Sequence, residues 1–476
     1  MYKTFKRFIL VVIVILTTQP VRAQQLITDS VLTLQQCLDI GVKNNLLIKQ
    51  TEAQMEASRI YWQQARENLL PSINGSVNHS ISEGRSLNPF TNGYLNQPIT
   101  SANYSLGGNM ILSNGLTLQN SIRQTALAYQ AGKMDFEQAK NELTLNLIIA
   151  YLQVLNSEDQ LTQANTQVLV SQKQQERSEV LNKDGAIPPS QLSDLKGQLA
   201  ADQIGVINAQ NSLAIAQLNL LQLMNVDYRK KIRFERQPIE GATPYNQTAD
   251  QVYASSLANF ASIKAGKLRR ESAEKGLQVA KGALLPTLSL SGGISTNYSS
   301  AAQRSVFADS TIVPTSQFIQ TPSGRLTVYS VQQNYVGQDI NYVDQFRNNY
   351  STTVSLGLNI PILNNFQNRN RIALAKINLQ TQRYNEQSNI IQLKVKVDQA
   401  YVNMTSAYDR YQLTVKQVEA YAESFRIAEI RFNAGAITSV DFIIVKGNLD
   451  KAKISLINAR YDYLARTKIV DYYQGK

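Results

Sequence analysis

The residue types that most often carry catalysis and metal binding are scarce in this chain. Among its 476 residues His79 is the only histidine and Cys37 the only cysteine. His79 falls in the stretch 79–101, whose composition predicts a loop, so a histidine-centred triad or a catalytic zinc site has no basis. A single cysteine also excludes a disulfide within the chain. We therefore expect no enzyme activity and no metal site.

Phosphate-binding motifs are also missing, and the charge does not indicate nucleic acid. The sequence contains neither a Gly-rich loop ending in Gly-Lys-Ser/Thr nor a dinucleotide fingerprint, so no cofactor is predicted. The formal net charge is +12, and removal of the four basic residues in 1–23 leaves 43 lysines and arginines against 35 acidic residues, or +8. Because no dense basic stripe with interleaved aromatic residues accompanies this excess, nucleic acid is not an expected partner.

Residues 1–23 predict a cleaved secretory signal. The segment has a basic start with Lys3, Lys6 and Arg7, an apolar run over 8–16, and a small residue, Ala23, at its end. This order is typical of exported proteins. No later run of about 18 apolar residues occurs, so a transmembrane helix is not predicted. Any segment that spans a membrane would have to belong to a barrel.

The two halves of the chain repeat one another. Leu69-Leu70-Pro71 returns as Leu284-Leu285-Pro286, 215 positions later, and Gly185-Ala186-Ile187 returns as Gly435-Ala436-Ile437, 250 positions later. Copies of this length are much longer than the repeats of a solenoid protein. The two offsets differ because the second copy carries about 35 extra residues before Ile362. We predict a first repeat over 24–227, a linker over 228–246 and a second repeat over 247–476.

Each repeat is predicted to contain a long helical hairpin, over 116–224 and 366–473. Proline is absent between Leu116 and Asp184, and glycines at 185 and 435 mark the tips, where helices stop. Large and small residues alternate at heptad spacing, which indicates a coiled coil. An ordinary helical-bundle core would give the same pattern. In the first hairpin the two seam positions are Leu147, Val154, Leu161 and Val168 against Ala150, Ser157, Ala164 and Ser171.

Period-two alternation predicts four strands, at about 69–78, 102–111, 286–298 and 350–360. Each strand has one apolar face and one face of small polar residues, as in Ile73 and Val77 against Asn74 and Ser76. This pattern matches transmembrane barrel strands around a watery lumen, and a half-exposed soluble sheet is the alternative. Four strands cannot close a barrel, whereas three chains would supply twelve. The stretches 79–101 and 299–350 are predicted as loops.

The chain resembles the TolC family of outer membrane efflux channels over nearly all of its mature length. The resemblance rests on the duplicated helix–strand–strand–hairpin unit, the Leu-Leu-Pro motif, the tip Phe432-Asn433-Ala434-Gly435 and the segment Asn458–Leu464. It implies an α+β membrane protein in the outer membrane of a Gram-negative bacterium, extending into the periplasm. The implied form is a homotrimer, with a twelve-stranded β-barrel in outer-membrane lipid that is continued by a long α-helical coiled-coil barrel. A periplasmic adaptor (membrane fusion) protein and an inner-membrane pump of the RND or ABC type are the implied partners.

The resemblance also implies roles for residues at the hairpin tips. Family members dock onto the adaptor through their tips and commonly close the periplasmic end with an aspartate ring. The ring position falls on Asp441, whereas Ile444 stands where some members have a second aspartate and Gln191 is its equivalent in the first tip. The periplasmic end could therefore instead be closed by an apolar constriction. The positions that correspond to the docking tips are Gly185, Ala186, Ile187, Gly435, Ala436, Ile437 and Thr438.

The function that these features imply is a passive exit duct for substrates that a pump exports. Multidrug or small-molecule efflux is the first expectation, and metal efflux or type I protein secretion would suit the same architecture. The alternative is a structural or adhesive coiled-coil envelope protein with no transport role. The polar faces of the predicted strands favour the duct, because an adhesin needs no wetted lumen. The exported substrate, the particular pump and the role of 299–350 do not follow from the sequence.

Overall fold

The computed structural model describes residues 31–87, 92–227, 232–236 and 243–475. The predicted signal segment and much of the predicted linker at 228–246 lie outside these ranges. The described residues form two compact units, and each unit draws on both sequence repeats. One contains the described residues up to 53, those in 135–261 and those from 390 onward, and the other contains those in 54–134 and 262–389.

The helices occur in matched sets, one set in each repeat. Helices α1 (Leu34–Asn44) and α2 (Leu46–Glu67) have 11 and 22 residues, as do α5 (Ala249–Asn259) and α6 (Ala261–Gly282). Helices α3 (Thr117–Lys183) and α8 (Gln367–Asn433) both have 67 residues, or about 100 Å at 1.5 Å per residue. Helices α4 (Pro189–Met224) and α9 (Ser439–Gln474) both have 36. Within the described part of the chain, none of the helices has the length and hydropathy to cross a membrane.

The matched short helices begin with the same local chemistry. Thr33 caps α1 and Thr248 caps α5, and each threonine hydroxyl accepts a hydrogen bond from the backbone N–H three residues later. Gln36 and Gln251 return the bond to the backbone N–H of the capping threonine. This capping box satisfies two donors that a helix start leaves unpaired. The duplication therefore extends to the caps that fix where each helix begins.

The core of the first unit surrounds α3 where it passes the short strands β1 (Val31–Leu32) and β6 (Arg233–Phe234), which pair in parallel. Tyr151 is buried there, stacks edge-on against Phe234 and donates a hydrogen bond to the backbone oxygen of Glu235. Burial also raises the pKa of the Cys37 thiol to about 12, so this cysteine stays protonated and behaves as a small apolar side chain. The rest of this core consists mainly of Leu147, Val154, Leu155, Leu220 and Met224.

Four antiparallel strands in the second unit form the main sheet. Their order is β10 (Ser351–Asn359), β7 (Thr287–Ser299), β5 (Ile99–Ser113) and β2 (Ser72–Ser82). Within the described part of the chain, β10 and β2 each have one edge without a partner strand. The paired glycines lie opposite one another, Gly107 against Gly293 and Gly108 against Gly292. The bulge in β5 lies further along, between Ile111 and Ser113.

The two faces of the main sheet differ sharply in polarity. Because the strands are in register, one face carries apolar side chains such as Val77, Leu106 and Ile294, and these are exposed in the single chain. The other face carries serine, asparagine, glycine and threonine. Pairs of serine hydroxyls bond across it, with Oγ–Oγ distances of 2.7 Å between Ser76 and Ser105 and 2.8 Å between Ser295 and Ser351.

The two stretches predicted as loops contain regular structure, so those predictions were wrong. In 299–350 the chain forms a long β-hairpin of β8 (Gln303–Thr321) and β9 (Gly324–Asp339), followed by helix α7 (Tyr342–Asn348). In 79–101 strand β2 continues to Ser82, so His79 lies in a strand, and the two-residue strands β3 (Ser86–Leu87) and β4 (Tyr94–Leu95) pair beyond it. Serine, threonine, glutamine and tyrosine on both faces hid the alternation that defines these strands.

Candidate functional site

Both hairpin tips end their first helix in the same way. Gly185 and Gly435 adopt left-handed backbone conformations, with φ of 71° and 72°. The next N–H, of Ala186 or Ala436, bonds five residues back to the carbonyl of Leu181 or Arg431. This arrangement is a Schellman motif, which satisfies carbonyls at a helix end and favours glycine because a Cβ is strained at this φ.

Side chains at the tips are largely accessible. Gly185, Ala186, Gly435, Ala436 and Thr438 are exposed, and Ile187 and Ile437 are half-buried. The structure therefore brings three or four predicted docking positions together at each tip.

The two tips differ in how the returning helix begins. Pro188 precedes α4 without a side-chain cap, and the Asn182 side-chain amide instead donates to the Ile187 carbonyl at 3.0 Å. Thr438 caps α9, where its hydroxyl accepts from the Asp441 N–H at 3.1 Å.

Asp441 completes a capping box in this structure. Its Oδ2 accepts from the Thr438 hydroxyl at 2.7 Å and from the Thr438 N–H at 3.2 Å. These two bonds hold the pKa of the Asp441 carboxyl below its usual value, so the exposed carboxylate is ionised at neutral pH. Ile444 is also exposed, and Gln191 is half-buried. Asp441 thus has a local role at the helix start that the sequence analysis missed, although Thr438 three residues earlier is a signal for it.

A buried ionic cluster links the returning helices of the two hairpins. Lys446 on α9 is 2% exposed, and its Nζ lies 2.9 Å from Asp202 Oδ2 on α4 and 2.7 Å from Asp450 Oδ2. Asp202 also accepts hydrogen bonds from the Ser171 hydroxyl and, at 2.8 Å, from the Gln198 amide. A buried lysine is tolerated only when its charge is paired in this way. The cluster therefore holds one repeat against the other close to the tips.

Further contacts join the hairpins between this cluster and the tips. The Ser439 hydroxyl donates to Asp194 Oδ2 at 2.8 Å, and Arg177 Nη2 donates to the Asn433 carbonyl at 3.0 Å. Beneath the second tip the ring of Phe442, 1% exposed, stacks on Phe432 with 4.7 Å between centroids. The two hairpin ends are thus fixed by polar bonds between repeats and by an aromatic contact within the second repeat.

Sequence reasoning missed this ionic cluster, although two signals for it exist. Asp202 interrupts the apolar seam of α4 between Leu199 and Val206, and Lys446 precedes Asp450 by four residues, a spacing at which side chains on a helix meet. On α3, Leu161 and Val168 are only half-buried, whereas Gln167 and Gln174 are buried. The seam toward the tip is therefore more polar than the apolar heptad indicates.

An open hollow of about 490 Å³ lies against the polar face of the main sheet. Its lining carries hydroxyl, amide and backbone groups and no ionisable side chain. In the described ranges no three His, Cys, Asp or Glu side chains are grouped so that they could hold a metal ion. The lining residues include Ser72, Asn74, Ser76, Ser105, Asn109, Ser291 and Thr353.

Comparison with known families decides where this architecture belongs. The family described as outer membrane efflux protein matches residues 40–226 and 252–468, one segment in each repeat. The chain is a member of the outer membrane efflux protein family. Its location is accordingly the outer membrane, and the resemblance inferred from the tips and from Asn458–Leu464 is confirmed.

Several solved structures have the same fold as this chain. The Campylobacter jejuni CmeC outer membrane channel is 16% identical with a TM-score of 0.75, and the match covers 93% of this chain and 85% of that one. CusC is 15% identical with a TM-score of 0.74, and the match covers 93% of this chain and 91% of that one. The Vibrio cholerae outer membrane protein VceC is 12% identical with a TM-score of 0.73, and the match covers 93% of this chain and 96% of that one. Comparison with curated protein sequences gives no match.

Proposed function

We propose that this outer membrane efflux protein is the passive exit duct of a tripartite export system and acts as a homotrimer. The observation that carries the proposal is the main sheet, which among the described residues has two unpaired edges, one apolar face and one polar face without charges. Each unpaired edge exposes backbone donors and acceptors, which have no partners in hydrocarbon. Pairing β10 of one copy with β2 of the next would satisfy them.

Two copies would give eight strands, a barrel whose interior is filled by side chains, whereas three copies give twelve strands and leave room for a lumen. Twelve strands would place the apolar side chains toward outer-membrane lipid and the serine and asparagine face toward a water-filled lumen. The strands have 9–15 residues, enough to cross a membrane when tilted. Helices α3, α4, α8 and α9 of the three copies would continue the duct into the periplasm as a tube of twelve helices.

The tips are proposed to bind a periplasmic adaptor that connects the duct to an inner-membrane pump. The exposed glycine and alanine residues leave backbone and apolar surface open to a partner helix. Ala436→Glu should abolish transport and leave trimer formation intact, whereas Ala436→Ser should retain transport. Loss of the trimer in both variants would contradict a docking role for the tip.

Asp441 is proposed to face the axis at the periplasmic end, where three carboxylates would attract cations. Ionisation at neutral pH and exposure in the single chain support this role. If Asp441→Ala leaves both the resting conductance and the cation block of the purified channel unchanged, closure by an apolar ring that includes Ile444 is favoured.

Small organic molecules, including drugs, are the proposed cargo. A lining of hydroxyl and amide groups wets the duct and discriminates little between solutes, so the pump would set specificity. Metal ions and secreted proteins are the competing cargoes, and a bracing or adhesive role without transport is the competing function.

Accumulation of dyes, drugs and metal ions in a strain that lacks the protein tests these alternatives together. We expect drug and dye accumulation to rise on deletion and to return to normal on complementation with the full chain. A rise restricted to one metal ion would favour metal efflux, and a loss of secreted protein would favour secretion. Unchanged levels of every cargo would refute the duct.

A further inference from the structure

The short helix α7 lies against the end of the main sheet at which β7 finishes, here called the outer end, and it carries exposed apolar side chains of its own. We propose that α7 binds the outer leaflet of the outer membrane and lies at the boundary between its acyl chains and its phosphate headgroups. The inference rests on the proposed duct, in which the apolar face of the sheet meets lipid and the long helices extend into the periplasm.

Helix α7 takes the place of β10 beside the last residues of β7. Strand β10 begins at Ser351, opposite Ser295, so β7 extends beyond it by four residues. There Gln345 of α7, 1% exposed, accepts a hydrogen bond at its Oε1 from the Ser299 N–H at 2.9 Å and donates from its Nε2 to the Ser299 carbonyl at 2.9 Å. These bonds satisfy backbone groups that have no strand partner on this side, and they fix α7 to the sheet.

The face of the sheet that α7 covers is the apolar one. Tyr104 and Thr296 lie opposite one another in the pairing of β5 with β7, next to the pair Leu106 and Ile294. Because side chains two residues apart on a strand share a face, Tyr104 and Thr296 belong to the apolar face. The Thr296 hydroxyl donates to the Phe346 carbonyl of α7 at 2.8 Å, and Thr296 is only 8% exposed. The helix therefore lies on the side of the sheet that the duct turns toward lipid.

Four aromatic rings join α7 to the apolar face. The ring of Tyr342 lies 4.6 Å from that of Tyr298, and the ring of Phe346 meets that of Tyr104 edge-on at 5.6 Å, measured between centroids. The hydroxyls of Tyr104 and Tyr342 also bond to one another. Tyrosine is enriched where a membrane meets water, because its ring is apolar and its hydroxyl is polar. The four residues Tyr104, Tyr298, Tyr342 and Phe346 are here called the outer aromatic group.

The exposed apolar side chains of α7 lie on one side of the helix. Tyr342, Val343 and Phe346 are 41%, 56% and 46% exposed, and helical spacing places all three within an arc of about 100°. Asp344 lies outside this arc. Arg347 is exposed and follows Val343 by one turn, and its long side chain lets the charge reach the headgroup level while the stem stays among apolar groups. An apolar side bordered by a basic residue is typical of helices that lie in a membrane interface.

The distance along β7 places the outer aromatic group at the outer boundary of the membrane. On the apolar face, Leu288 stands near the start of β7 and Tyr298 near its end, ten residues later. At about 3.3 Å per residue this is roughly 33 Å along the strand, and a tilt of about 40° reduces it to a height of roughly 25 Å. The apolar band of an outer-membrane barrel is about 25 Å tall and is flanked by aromatic residues. Tyr298 and α7 therefore lie where the outer headgroups begin.

Lipid suits the exposed side of α7 better than a second copy of the chain does. The strand order is β10-β7-β5-β2, and neighbouring copies would join at the free edges of β10 and β2. Tyr342 and Phe346 instead reach across β7 to Tyr104 on β5, so they lie over the two central strands. A partner that pairs with an edge strand adds to the sheet in its own plane and leaves this face open. In the outer membrane, the medium that meets an open apolar face is lipid.

Fluorescence quenching of the full chain in vesicles of phosphatidylcholine and phosphatidylglycerol tests this position. A fluorescent maleimide is attached to single introduced cysteines, since the native Cys37 is buried. We expect the label on Val343→Cys to be quenched several-fold more by a lipid nitroxide near the headgroup than by one deep in the acyl chain. Asn348→Cys, exposed and about 140° round the helix, is the matched control and should be quenched mainly by iodide in the water. Leu106→Cys, on the apolar face nearer the middle of the band, should respond most to the deep nitroxide.

The Leu106→Cys label separates the inference from the proposed function. If lipid quenches this label while iodide quenches Val343→Cys as strongly as Asn348→Cys, α7 lies in water; the inference is then overturned and the duct stands. If neither iodide nor either nitroxide quenches Val343→Cys, protein covers α7, and a second copy replaces lipid as its partner. If no lipid nitroxide quenches Leu106→Cys, the apolar face does not meet lipid and the proposed barrel itself is refuted.

Discussion

Replacement of Lys446 by methionine should loosen the hairpin ends. Lys446 is buried between Asp202 and Asp450, at distances of 2.9 and 2.7 Å. Methionine fills similar volume and removes the charge, which leaves Asp202, with a side chain only 10% exposed, as an uncompensated anion. Breaking a buried ion pair by removing one partner costs about 3–5 kcal/mol. Since Ser171 and Gln198 still donate to Asp202, we expect the lower limit, about 3 kcal/mol.

Removing both charges should cost much less than removing one. A buried pair replaced by apolar residues of similar volume is often neutral in stability, so Lys446→Met with Asp202→Leu should lie within about 1 kcal/mol of the native protein. Asp450, 18% exposed, can turn toward water when its partner is lost. The double variant thus separates the cost of an unpaired charge from the cost of lost packing.

Hydrogen exchange of the purified full-length protein measures this local opening. A loss of about 3 kcal/mol corresponds to roughly 100-fold faster exchange of the most protected amides of α4 and α9 near the cluster. Lys451→Met, at an exposed lysine of the same helix, is the matched control and should leave exchange unchanged. The reasoning is refuted if Lys446→Met behaves like Lys451→Met, or if the double variant exchanges as fast as the single one.

Five further variants test the second tip and the hairpin base. Thr438→Ala should cost the start of α9 about 1 kcal/mol, seen as faster exchange there. Two hydrogen bonds from Thr438 lower the pKa of the Asp441 carboxyl in the folded protein. The stability that this carboxylate contributes is therefore present above its unfolded-state pKa and is lost as the pH falls through the lower folded-state pKa. Asp441→Asn should abolish this loss of stability in acid. Gly435→Ala should destabilise the tip by about 1–2 kcal/mol and Gly435→Asn by less, since asparagine tolerates positive φ; equal losses would contradict a backbone cause. Gln345→Ala leaves the buried Ser299 N–H without its acceptor and should destabilise the base of the β8–β9 hairpin by about 1–3 kcal/mol. Faster protease cleavage at this base would measure the loss, and unchanged cleavage would show that Gln345 does not hold the base in place.

Local rules predicted where the long helical hairpins turn and where the main-sheet strands lie. The break at Gly185 followed from the need for a left-handed residue at the helix end, and the observed ends at Lys183 and Pro189 lie next to it. The four main strands followed from period-two alternation around Ile73, Leu106, Leu290 and Leu356, which depends on residues close in sequence. The matched lengths of the helices followed from the duplication.

The features that were missed depend on residues far apart or on weak patterns. Lys446 meets Asp202 across 244 positions, a distance that no local pattern bridges. Strand β2 was ended four residues too early because His79 interrupts the apolar face that Ile73, Val77 and Ile81 share. The β8–β9 hairpin was assigned to a loop since serine and glutamine alternate with its aromatic residues without a fully apolar face. Asp441 caps its helix through Thr438, a contact that follows from the threonine three residues earlier.

Conductance through cysteine variants of strand β5 tests most directly whether the polar face of the main sheet lines a water-filled pore. Ser105 belongs to the lining of the hollow, and the neighbouring Leu106 lies on the apolar face and is 51% exposed. Purified protein in a planar bilayer should conduct, and a charged, water-soluble thiol reagent should reduce the conductance of Ser105→Cys and leave that of Leu106→Cys unchanged. A trimer that does not conduct, or a reagent that blocks only Leu106→Cys, would contradict the proposed duct.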